Sequence, residues 1–143
     1  MSQSTNVNFS MDRWEYPVKP TWTRGQVFAG PLAAGTTLLE VSVSPGHKGY
    51  IWGYSLAEND PNGNVFLVRW VSGGKTYQQM ILIHGPGAVE VAGDRAINDG
   101  SPADPGTSIV VQILHAASAD TLYSADILWG QVPLERRSSG HGQ

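Results

Sequence analysis

Apolar and polar residues alternate in eight short runs between positions 26 and 132, and clusters of Gly, Pro, Asn and Asp separate the runs. The runs cover 26–29, 37–43, 50–57, 64–72, 76–83, 88–91, 107–116 and 121–132. A period of two sends successive side chains to opposite faces of an extended chain, so each run predicts a strand; no stretch carries the 3.6-residue period of a helix. In the last run Tyr123, Ala125, Ile127 and Trp129 share a face opposite Leu122, Ser124, Asp126 and Leu128, and are expected at the centre of the core. Leu39, Val41 and Val43 share a face in the second run, and Phe66, Val68 and Trp70 in the fourth. Ser72-Gly73-Gly74-Lys75 joins the fourth and fifth runs as a hairpin turn. The polar, punctuated stretch 92–106 suits a crossover between two sheets. The expectation is an all-β fold, an antiparallel jelly-roll-like β-sandwich over 26–132, with an immunoglobulin-like strand order as the alternative.

Residues 1–25 lack this alternation. Trp14, Tyr16 and Trp22 lie around Pro17 and Pro20, and prolines fix φ and bias the residues before them to extended conformations. An extended N-terminal arm is therefore expected. Exposed on a monomer, its rings together with Met11 would form an apolar patch that soluble proteins avoid, so the arm is expected to pack on another molecule, with folding back onto its own sandwich as the alternative. Residues 133–143 are polar and read as a flexible C-terminal tail.

Composition narrows the function. A chain of 143 residues with 41% hydrophobic content builds one core. Its formal net charge of −3 offers no general attraction for a phosphate backbone, so nucleic acid is not expected as a partner. No run reaches the roughly 18 apolar residues of a membrane helix, and the N-terminus lacks the basic and apolar regions of a secretory signal. Synthesis in the cytoplasm and no membrane partner are expected. Charged residues make up 15% of the chain against about 25% in ordinary soluble domains, which suggests a surface covered by neighbours.

Candidate chemistry is sparse. There is no cysteine for thiolate catalysis or metal binding. His47, His84, His115 and His141 fall one per segment, without the paired spacings of a strand-borne metal site. His115 is placed on the strand face of Ile109, Val111 and Ile113. Asp60, Asn62 and Asn64 have the spacing that opens a calcium loop, but the closing Glu is missing and the run reads as a turn. No nucleophile elbow or phosphate loop occurs. Neither enzymatic activity nor a metal or cofactor is expected. Tyr50, Trp52 and Tyr54, alternating along one strand with Ile51 and Leu56 on its other side, form a candidate glycan platform; core packing is the competing role for these rings.

The proline-spaced aromatic arm (Trp14, Tyr16, Pro17, Pro20, Trp22) followed at once by a helix-free β-body resembles the small decoration, or cement, proteins of tailed-phage capsids, and more broadly single jelly-roll virion proteins. The likeness spans the whole chain and is architectural. It implies a homotrimer on the outside of a phage head, the major capsid protein as partner, and Met11, Trp14, Tyr16, Pro17, Pro20 and Trp22 as the clamp. The expected function is that of a non-enzymatic virion structural protein, with a carbohydrate- or receptor-binding module as the alternative.

Overall fold

The computed structural model describes residues 19–92 and 102–134. Among the described residues nine strands run in the order β1 (Thr21–Arg24), β2 (Phe28–Ala29), β3 (Thr37–Ser42), β4 (His47–Glu58), β5 (Asn64–Ser72), β6 (Lys75–Ile83), β7 (Gly87–Ala92), β8 (Ser108–Ile113) and β9 (Leu122–Pro133). They form two antiparallel sheets. One has the order β1-β9-β4-β7, with β2 also on β9, and the other β3-β8-β5-β6. From β2 onward each connection crosses between the sheets, apart from the β5–β6 hairpin. That is jelly-roll order, and it decides against the immunoglobulin-like alternative, whose consecutive strands more often share a sheet.

The sandwich begins earlier than the alternation suggests. Thr21–Arg24 pairs with β9, Trp22 opposite Leu128 and Arg24 opposite Asp126, so these residues belong to the body and not to the arm. β1 and β2 are two pieces of one edge strand, and the Gly25 amide bridges the break by donating to the Ala125 carbonyl and to the Asp126 carboxylate. The expected hairpin stands: Ser72 pairs with Lys75, and both intervening glycines have positive φ, a conformation that a two-residue hairpin turn needs and side chains resist. The Asp104 carboxylate accepts the amides of Gly73 and Gly74 at 2.8 and 2.9 Å, which clamps the turn to the end of the crossover.

Between the sheets lie Leu56, Phe66, Val68, Trp70, Ile109, Val111, Ile113, Tyr123, Ala125 and Ile127, all buried, with Trp129 packed at the margin. Burial of each large side chain here contributes about 1.5–3 kcal/mol. The expected inward faces of β5 and β9 are thus observed. Two others are corrected by bulges, where one extra residue flips the alternation. A register shift between Thr37 and Leu39 turns Leu38 into the core and leaves Leu39 partly buried. A second shift, at Leu128/Trp129, leaves Trp52 without a partner on β9, so Ile51 and Tyr54 both point inward. Gly53 beside it is needed for close approach: a Cβ there would stand 2.1 Å from the Val91 carbonyl oxygen.

One end of the sandwich is closed by a polar network. The Tyr123 hydroxyl donates to the Asp60 carboxylate and accepts from Asn64 Nδ2 at 3.0 Å. Asn64 Nδ2 also donates to the His115 carbonyl, while its Oδ1 accepts the amides of Val65 and His115. Asp60 Oδ1 accepts the Asn62 amide at 2.9 Å. The calcium-like spacing is thereby explained, since the Asp60 and Asn64 side chains tie the 59–63 turn to β8 and β9. His115 itself lies past the end of β8 and is exposed, correcting its expected place on that strand's face. Burial, and then the bond to Asp60, push the Tyr123 hydroxyl up to about 12, which keeps it a donor. Tyr123→Phe strands a buried carboxylate oxygen, and a loss of about 1–3 kcal/mol in urea unfolding is expected; an unchanged midpoint overturns that role.

Candidate functional site

Met11, Trp14, Tyr16 and Pro17 lie outside the described residues. Pro20 and Trp22 are half-buried, on or beside β1. The Arg24 guanidinium lies 5.1 Å above the Trp22 ring and is paired with Asp126 at 2.8 Å. Trp22 therefore packs along its own sheet, as in the fold-back alternative, with part of its surface still open.

The aromatic platform does not assemble. Tyr54 is 4% exposed and part of the core, and its hydroxyl is raised above the ordinary value by burial. Tyr50 and Trp52 are half-buried, and the bulge at Trp52 separates the face of Tyr54 from theirs. The predicted common side rested on an unbroken period of two. On the outer face of the same sheet a hollow of about 320 Å³ is lined by Val27, Ala57, Asn59, Leu122 and Ser124 together with Glu58 and Tyr123. Its prominent side chains are the exposed Val27 and Leu122.

Glu58 is buried, its Oε1 accepting the Asp60 amide while Oε2 has no hydrogen-bond partner. Burial first, and then the nearby Asp60 carboxylate, raise its proton affinity above the ordinary carboxyl value, with the Asp60 amide partly opposing. Among the described residues no three His, Asp or Glu side chains gather as metal ligands. The cluster has the geometry of a strut.

Among the described residues, several exposed apolar side chains gather on the outer face of β3-β8-β5-β6. β5 is apolar on both sides: Phe66, Val68 and Trp70 enter the core, while Val65 and Leu67 point away from it and are still only 8% and 6% exposed. Side chains of the neighbouring strands flank them. Leu82 is the cross-strand partner of Val65 and Met80 of Leu67; these two stand 56% and 59% exposed on the edge strand β6. On the other side the Leu114 amide donates to the Val65 carbonyl, and the Leu114 side chain is exposed too. The next row holds Arg69, whose Nε donates to Gln78 Oε1 at 2.9 Å. Exposed Leu82, Met80 and Leu114 thus surround the buried Val65 and Leu67 on this face, with no charge among the five. Sequence reasoning missed this patch, although the signal was present: 64–72 is apolar at both parities, as a strand covered on both faces is.

No protein-family profile matches the chain, and among curated proteins none is similar to it by sequence. Among solved structures, one described as "CBM4 structure and function" is similar over 78% of this chain and 94% of its own, at 17% identity and a TM-score of 0.33. So distant a likeness bears on neither fold nor ligand. The class, an all-β jelly-roll sandwich, rests on the strand order.

The raised proton affinity of Glu58 has a definite sign. A group that holds its proton more tightly when folded contributes stability below its ordinary value, here 4.5, and that contribution is lost as pH rises through the folded value. Asp104 runs the other way: the Gly74 and Gly73 amides lower it, so its contribution is lost as pH falls below 3.8. Above pH 4.5 the Glu58 effect is therefore not offset by Asp104. Glu58→Gln is expected to raise the urea midpoint at pH 7 and to flatten its decline from pH 4.5 upward; a variant curve parallel to wild type removes Glu58 as the cause.

Proposed function

We propose that this chain is a non-enzymatic structural protein that binds other protein surfaces, of the kind that decorates the outside of a virus head. The observation that carries the reading is the outer face of the four-stranded sheet. An apolar row from Leu114, just past β8, across β5 to β6, with Met80 and Leu82 standing out of it, has the depletion of charge and the exposed Met of a protein–protein contact core. Monomeric soluble proteins avoid contiguous surfaces of this kind. The capsid setting is supported by the architecture, a jelly-roll body preceded by an aromatic, proline-spaced segment. The alternative of a glycan-binding module loses the platform first assigned to it, because Tyr54 stands in the core.

Binding here would be additive. Each copy contributes a modest apolar contact, and presentation of several linked copies raises the effective concentration of the remainder once one has docked. The measurement is made on gradient-purified particles from cells that carry the gene. The chain is expected in them in stoichiometric amount and accessible to antibody on intact heads. Full-length Leu82→Asp is expected to fold but to bind heads lacking the protein at least tenfold more weakly. Absence from the particles, or equal binding by the variant, overturns the proposal.

A further inference from the structure

The four outer edges of the two sheets are not alike. A sheet edge presents unpaired amide and carbonyl groups, and proteins protect such edges with charges, prolines, bulges or short strands. The β1/β2 edge is broken at Gly25, carries Arg24 and is flanked by Pro20 and Pro31. β3 has six residues, a bulge and Glu40 in its middle. β7 has six residues and carries Glu90. β6 has none of these devices. It is nine residues long, has no Pro or Gly, pairs with β5 without a register shift, and bears a single charge, Lys75, at its first position. Among the described residues no strand pairs with its outer edge.

We infer that β6 pairs antiparallel with β6 of a second copy, joining two four-stranded sheets into one of eight strands across a two-fold axis. The strand is self-complementary. With Gln79 on the axis all nine residues overlap, Lys75 falls opposite Ile83, and the two Lys75 backbones lie about 27 Å apart at roughly 3.4 Å per residue. That distance is more than two screening lengths at physiological salt, so the only charges on the strand do not repel. No carboxylate occurs on β6 to oppose a copy of itself. On the outer face Met80 meets Gln78 of the other copy, which brings the two apolar rows together at the seam. A contact between identical edges uses both and closes at two, so the product is a dimer. The trimer implied by the resemblance would need a different contact. This inference deepens the proposed function, because Met80 and Leu82 belong to both surfaces.

The test uses the full chain in sedimentation velocity and thiol cross-linking. The natural sequence has no cysteine, so single-cysteine variants report cleanly. Wild type is expected to sediment as a dimer at tens of micromolar. Gln79→Cys, on the axis, is expected to cross-link rapidly with a short bis-maleimide, and Glu40→Cys, on the far edge, not to. The double variant Gln78→Lys/Met80→Lys sets ammonium groups opposite one another and is expected to raise the dissociation constant about tenfold or more, with strand content unchanged by circular dichroism. If that variant is misfolded, the cysteine pair still decides. A wild-type monomer or trimer, unchanged association of the folded double variant, or equal cross-linking at Glu40 and Gln79 overturns the inference. A monomer that still coats heads leaves the proposed function standing and removes the edge pairing.

Discussion

A sandwich has one interior, and each strand can give it one face. Everything distinctive about this molecule follows from β5 having two apolar faces. Phe66, Val68 and Trp70 fill the space between the sheets against Tyr123, Leu56 and Ile109. Val65 and Leu67 are left on the other side, buried there, with Leu82 and Met80 as their exposed cross-strand partners. Burial of this sort moves the exposure outward by one strand without removing it. The unfavourable contact with water ends up at the sheet edge, where the backbone also lacks a partner.

The polar network has the opposite character. Asp60, Asn64 and Tyr123 are buried but almost fully satisfied, and the bonds that link them to one another and to His115 join segments far apart in sequence. Buried polar groups cost little when partnered and specify geometry when they are. Here they fix where the 59–63 turn sits, hence where β5 starts and which of its residues face inward. Glu58 is the exception within the cluster, with one oxygen lacking a partner.

The strand pattern was largely legible because alternation is a direct consequence of backbone geometry, and the hairpin was legible because two glycines in a row have few other uses. The misread faces share a cause. A β-bulge adds one residue and leaves composition untouched, so the faces of Leu38, Leu39 and Tyr54 cannot be read from a run of letters. Thr21–Arg24 was missed since it is four residues long with Trp22 as its one apolar side chain and Pro20 precedes it, while its strand character comes from pairing with β9, about a hundred residues away. The apolar outer face was readable in principle from the double apolar parity of 64–72. Met80 and Leu82 looked like ordinary strand residues because sequence does not say that β6 is last in its sheet.

The Asp104 clamp reaches further than the turn it holds. By gripping Gly73 and Gly74, and with its own amide donating to the Val71 carbonyl at 2.7 Å, it fastens the tip at which β6 begins to a segment that crosses from the other sheet. A strand anchored at its root has less freedom to lose when a neighbour aligns beside it, so the entropic penalty of docking is met in large part during folding. The molecule comes to an encounter with its zipper already straightened.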